Sequence, residues 1–276
     1  MGINIKVYGF FLVIAHLCLS LPTSAKGADL DHAYQLFLKR DTDLPSLKRA
    51  KKIYLKHIKD QKANLISRAD ALGRYAQLSI FHGEINRKPF GIDRRKSAKI
   101  FQSCIDASEY LSPSNIKEQT PQYYYWRSMC IGLWLSHSQS INLFKKGHRF
   151  KELKGLVATG KEFFPRFDGY GFNRVEAGIY LRSEKFKAFG IFNPKKALAL
   201  LEEHKDHEIT NYMHYLLMAE AFKHMNKMVL AKMTLRKGIN ELMDKFENKQ
   251  IPEDLIADNE YAMRKMRLLL EELTTP

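Results

Sequence analysis

The sequence predicts an all-α protein of antiparallel helix pairs stacked as a right-handed solenoid. Three observations carry that expectation. Apolar residues recur at helical spacing over nearly all of the chain beyond its N-terminal stretch. No Asn-Gly or Asp-Gly turn stands between alternating apolar residues, so no segment reads as a hairpin of strands. One helix-connection-helix block also repeats: "SIFHGEINRKPFGIDRRKSAKIF" at 79–101 aligns without a gap on "GIYLRSEKFKAFGIFNPKKALAL" at 178–200, an offset of 99. Phe90, Gly91, Ile92, Lys96 and Ala98 recur as Phe189, Gly190, Ile191, Lys195 and Ala197, flanked by Ile80 and Lys88 matching Ile179 and Lys187. Repeated helix pairs stack because one pair alone cannot bury its apolar face.

The elements follow in order. Residues 1–25 read as an export signal: Lys6, an apolar run from Val7 to Leu21, the breaking Pro22, and small Thr23 and Ala25 before a cut after Ala25. The apolar run is shorter than the roughly 20 residues a membrane span needs. Cys18 follows Leu17 rather than a small residue, which speaks against lipoprotein processing. Helices are then expected near 29–40, 45–60, 63–83, 93–110, 121–140, 149–164, 172–185, 194–205, 210–225, 227–246 and 253–273. Asp93 and Asn193 open two of them as favoured N-caps, and Pro194 suits a first helical turn. A third pair, "YYYWRSMCIGLWL" and "FKELKGLVATGKEFFP", lies between the two copies of the block. The organisation expected is N-terminal helices over 26–62, repeats over 63–246 and a C-terminal capping helix over 247–276.

The last pair identifies the type of repeat. Tyr215, Met218, Ala219, Phe222, Ala231, Leu235 and Gly238 follow the large and small order of a tetratricopeptide repeat, with the small residues letting two helices approach closely. This tetratricopeptide-like pattern joins an export signal, a "YYYW" helix, "GYGFNRVEAGIYL", and a connection ending in an Asp- or Asn-opened helix. Together they resemble the helical-repeat component associated with tripartite ATP-independent periplasmic (TRAP) transporters. The resemblance covers roughly 65–245 and rests on Gly171, Arg174, Gly178, Gly190, Asn193 and Ala197. It implies a periplasmic protein serving solute uptake.

Catalysis is not expected. No Gly-x-Ser-x-Gly elbow, P-loop lysine or Cys-x-x-Cys pair is present. His204, His207, Glu208 and His214 crowd one segment, yet Asn211 replaces the second ligand of a His-Glu-x-x-His zinc site, so no metal is assigned. No cofactor is assigned either. Gly169-Tyr-Gly-Phe-Asn-Arg174 carries Arg174 where a dinucleotide loop needs its third glycine, and helical pattern precedes it. The loop therefore reads as a joint between helices. Arg174 in a first helical turn opposes the helix dipole unless Asp168, Glu176 or an anionic ligand compensates.

Candidate binding residues are Tyr123, Tyr124, Tyr125 and Trp126, with Tyr170 and Arg174 of the loop. Four consecutive aromatics cover every side of a helix, so some face the core and others a partner. The net charge of +15 favours anionic partners, but the basic residues are scattered through helical pattern, and the export signal disfavours nucleic acid. Cys104 and Cys130 remain beyond the signal, and both a bridge and two buried thiols are compatible with the sequence. The function expected is an exported, non-enzymatic binder of another exported protein, a peptide or a small ligand in a concave groove, open to oligomerisation. The alternative is a basic adaptor on an anionic envelope surface.

Overall fold

The side-chain order of the chain is expressed in helices throughout the computed structural model, which describes residues 27–114, 119–138, 143–182, 191–203 and 211–275. The signal over 1–25, the connection bearing Lys187, Phe189 and Gly190, and His204, His207 and Glu208 lie outside the described residues. Among those described there are eleven α-helices and no strand. They are α1 (Gly27–Phe37), α2 (Leu44–Lys59), α3 (Leu65–Ile80), α4 (Arg94–Ser108), α5 (Pro121–His137), α6 (Leu143–Phe163), α7 (Gly171–Arg182), α8 (Pro194–Glu202), α9 (Met213–His224), α10 (Met228–Glu247) and α11 (Ile256–Thr274).

Local chemistry sets many of the ends. The Asn64 side chain accepts from the Ile66 amide at 2.7 Å, Asp93 from Lys96 at 2.7 Å and Asn193 from Lys196 at 3.0 Å. Each satisfies an amide that the first helical turn leaves without a partner. These caps also refine the internal repeat. Asp93 and Lys96 correspond to Asn193 and Lys196, and buried Ser97 corresponds to buried Ala197, one residue out of register with the alignment by identity. Capping geometry, rather than letter matching, sets where a helix begins.

Two expected helices differ in detail. The segment expected as one helix over 63–83 leaves α geometry at Ile80 and continues as a π turn, Phe81–Ile85. Gly83 lies in this turn so close to α4 that a Cβ there would sit 2.9 Å from Cζ of Phe101. Helix α6 begins at Leu143, ahead of the expected 149.

Consecutive helices pack on one another along the whole chain, and α3, α5, α7, α9 and α11 also pack on each other in succession. The buried apolar residues form two clusters that meet on α7. The first takes in α1 to α6 and Phe172, and the second runs from Ala177 to Met266. Cys104 of α4 and Cys130 of α5 are joined in a disulfide with Cα atoms 6.0 Å apart. In the α9–α10 pair, Ala219, Ala231 and Leu235 are fully buried, and Gly238 meets Tyr215 where the small-residue pattern places it.

A Cβ at Gly238 would lie 2.7 Å from Cβ and Cγ of Tyr215, atoms that cannot swing away without moving the α9 backbone. Gly238→Ala is therefore expected to destabilise the protein by about 1–3 kcal/mol, despite alanine's better helix propensity. A lower urea midpoint with an unchanged slope is the expected reading; an unchanged or raised midpoint would show that the two helices can separate at no cost.

Candidate functional site

Helix α5 opens on Pro121, whose fixed φ suits a first turn, and carries the aromatic run immediately afterwards. Successive residues are about 100° apart around a helix, so the four rings point in different directions. Tyr123, Tyr124 and Tyr125 are buried, whereas Trp126 is half-buried. Tyr123 packs edge-on against Tyr124 at 5.1 Å, and the Tyr124 ring lies 6.1 Å from Phe164. Tyr125 inserts between Phe167 and Phe172 at 5.3 and 5.6 Å. Trp126 crosses to α3, where a Cβ on Gly73 would lie 2.9 Å from its indole nitrogen. Three of the four rings thus fill the core, and Trp126 keeps a face toward solvent.

The loop before α7 turns through three consecutive left-handed residues: Asp168, Gly169 and Tyr170 have φ of 50°, 53° and 62°. Two of these are not glycine and adopt that conformation at a cost, so other contacts must hold them. Arg174 does so. Its guanidinium donates to the carbonyls of Asp168 and Gly169 and to the Asp168 carboxylate. The Tyr125 hydroxyl donates to the same carboxylate at 2.8 Å. Of the compensating groups considered for Arg174, Asp168 serves, while Glu176 pairs with Lys161 at 2.7 Å. Arg174 is 6% exposed and directed into its own loop, so the loop is a joint tied to α5. Tyr170 is half-buried beside it.

The structure assembles a further polar group that sequence spacing does not reveal. Arg40, at 0% exposure, donates to the Asp254 carbonyl at 2.7 Å and to the Asp258 carboxylate at 2.6 Å. Its guanidinium lies 4.1 Å from the Phe37 ring centroid and 4.8 Å from that of Phe81. Arg74 donates to the Asp254 carboxylate at 2.7 Å and lies over Phe37 at 4.7 Å. Burial pushes the Asp258 carboxyl up, with Arg40 opposing the rise. The turn after α1 and the start of α11 meet here.

Arg74 and Asp70 are one turn apart on α3, and the Gln122 amide of α5 donates to Asp70 at 3.1 Å. Trp126 lies one turn after Gln122. Asp70, Arg74, Gln122 and Trp126 therefore make a strip across α3 and α5, bordered by Asp254. It combines donors, a cation and an amphipathic ring, the residue types that anchor partners. Among the described residues no group of three His, Cys, Asp or Glu side chains is placed to hold a metal ion.

Arg127, on the other side of α5, sets the helix that carries this strip. It donates to the Ile105 carbonyl at 3.0 Å, to Ser108 at 2.7 Å, to Glu109 at 2.6 Å and to Glu152 of α6 at 2.7 Å. Arg149 donates to the second oxygen of Glu152 at 2.7 Å. No family model and no curated protein matches the sequence.

Burial alone would raise the Glu152 carboxyl, but bonds from Arg149 and Arg127 outweigh it and hold the group below its usual value of 4.5. Its ionised form thus stabilises the fold above that value, and the stabilisation disappears as pH falls through the lower folded-state value. Glu152→Gln is expected to cost about 1.5–3 kcal/mol near neutrality. In urea titrations at pH 7 and pH 3 the difference from the parent should shrink in acid. A difference equal at both values would mean that ionisation of Glu152 contributes nothing.

Proposed function

We propose that this is an exported, non-catalytic helical-repeat protein of tetratricopeptide-like build that binds a protein, peptide or small molecule on the face lined by α3, α5, α7, α9 and α11. The observation that carries the reading is the row itself. These odd-numbered helices contact one another in succession, whereas the even-numbered ones beyond α4 make no comparable contact with each other. Closer spacing on one side bends a stack toward that side, and curved helical stacks use the concave face for binding.

Further observations support the same reading. The close fit of Gly238 on Tyr215 agrees with the small-large order of a tetratricopeptide pair. A disulfide between Cys104 and Cys130 suits the oxidising compartment to which a cleaved leader would deliver the chain. In this proposal the physiological setting is the one implied by the resemblance to the TRAP-associated component, an accessory to solute uptake. Arg174 is buried against its own loop, whereas Trp126 and Arg74 are half-buried, so these two are assigned to meet the partner, Arg74 with the donors its pair with Asp254 leaves over. The second reading, a basic adaptor on an anionic envelope surface, is favoured by the net charge of +15.

One experiment compares the two. The chain from residue 26 is cross-linked in its native envelope fraction beside Arg74→Ala/Trp126→Ala, whose helicity is checked by circular dichroism. Recovery of an exported solute-binding protein with the parent and its loss with the double variant is the expected outcome. Recovery of lipid-bearing envelope fragments alone, released as salt screens the charge, would replace this reading with the adaptor.

A further inference from the structure

Away from the odd-numbered face, α2, α3 and α4 line an open surface groove of about 300 Å³. Its walls carry Lys48 and Lys51 from α2, Tyr75 from α3, and Lys99, Ile100 and Ser103 from α4. The π turn supplies His82. A π turn interrupts an α-helix at a cost in regularity and recurs at functional sites, because it displaces a side chain from the ordinary helical surface.

Two features of this groove are not explained by folding alone. Both ring nitrogens of His82 are buried, and neither makes a hydrogen bond. A neutral imidazole carries one donor and one acceptor, and leaving them unmatched costs free energy that native structures ordinarily avoid. The basic groups also converge here, Lys48 and Lys99 exposed at the rim and Lys51 set deeper. Lys51 lies half-buried with its ammonium 4.8 Å from the Tyr75 ring centroid. Among the described residues, no ion pair joins Lys48, Lys51 or Lys99 to a carboxylate. The electrostatic consequence agrees with the geometry. Burial lowers the Lys51 amine to about 7, while burial and then Lys51 and Lys48 lower His82 to about 4. Three lysines that make no ion pair, with Asp106 as the carboxylate near Tyr75, form a site that a bound anion would complete.

We propose that the groove between α2 and α4 binds a phosphate group borne by a small organic molecule. Lysines hold phosphate as point charges from several directions, whereas flat carboxylates favour the forked geometry of arginine. Lys48, Lys51 and Lys99 supply the charge and the N–H of His82 a neutral donor, while Ser103, whose hydroxyl donates to the Lys99 carbonyl at 3.1 Å, lines the wall. The volume exceeds that of phosphate alone and lies at the small end of ligand sites, while Tyr75 and Ile100 offer apolar surface to the remainder of the molecule. A sugar-sized phosphomonoester and the headgroup of a phospholipid share this chemistry.

Binding is measured by calorimetry on the full mature chain with inorganic phosphate, glycerol phosphate and phenyl phosphate, and by co-sedimentation with phosphatidic acid vesicles. Lys51→Gln, Lys99→Gln and His82→Gln are compared with Lys52→Gln, which removes an exposed charge from the same helix. Saturable binding that each groove variant weakens about tenfold, and Lys52→Gln leaves unchanged, is expected. Competition by inorganic phosphate identifies a free phosphomonoester as the ligand. Vesicle binding that the groove variants abolish, without binding of the soluble phosphates, assigns the same site to a headgroup.

Anion binding also favours the charged form of Lys51. Affinity should therefore fall from pH 6 to pH 9, with Lys48, Lys99, His82, Tyr75 and the nearby Asp106 as the other titratable groups around it. Equal weakening by Lys52→Gln would show general attraction to a basic surface and overturn the proposal. So would absence of saturable binding by every phosphate probe in a parent protein whose melting curve is intact.

Discussion

A fully buried guanidinium joins the turn after α1 to the start of α11, and the arrangement of the helices between them must accommodate it. Taking an arginine out of water costs several kcal/mol unless carboxylates and carbonyls replace the water. Arg40 receives that replacement from the Phe37 carbonyl at 3.3 Å, the Asp254 carbonyl at 2.7 Å and Asp258 at 2.6 Å. Phe37 and Phe81 cover it with the negative faces of their rings. The Asn86 amide donates to the Asp41 carbonyl at 2.9 Å and fixes the turn that follows Arg40. With Asp254 and Asp258 held at the start of α11, the last helix packs on α9 and α10.

The same economy of space explains the middle of the molecule. Helix α5 packs on α3, α4, α6 and α7, and of its aromatic run Trp126 alone keeps a side toward solvent. Its tyrosines are therefore structural, its cysteine is linked to α4, and Arg127 ties it to α4 and α6 at once. Where two helices approach most closely, glycine stands opposite an aromatic ring, as at Gly73 against Trp126 and Gly238 against Tyr215. The rings supply area and the glycines supply room, which is how side chains of unequal size reach native packing density.

Charge is divided between two uses. Arg40, Arg74 and Arg174 meet Asp258, Asp254 and Asp168, and their charge holds the backbone in place. On the α2–α4 side, Lys48, Lys51 and Lys99 gather around a histidine and, among the described residues, make no ion pair.

Helix identity was legible because it depends on neighbours in the chain: apolar spacing, Asp93 and Asn193 as caps, and proline at the start of α5 and α8 each act within one or two turns. The small-residue positions of α9 and α10 were legible for a related reason, since tight packing leaves a mark in residue size. The register of the internal repeat was legible only to within one residue, because sequence identity does not record which side chain caps a helix. The aromatic run showed that α5 mattered but not which ring stayed accessible; that depended on the positions of Gly73, Phe164 and Phe172 in other helices. Nothing in the sequence marked Arg40 and Asp258 as partners 218 positions apart, or His82 as the neighbour of Lys51. By itself the sequence determined which segments are helical and which side chains are small enough for close approach. Only the tertiary structure decided which charges meet, because an ion pair depends on a few ångströms in space and leaves no periodicity along the chain.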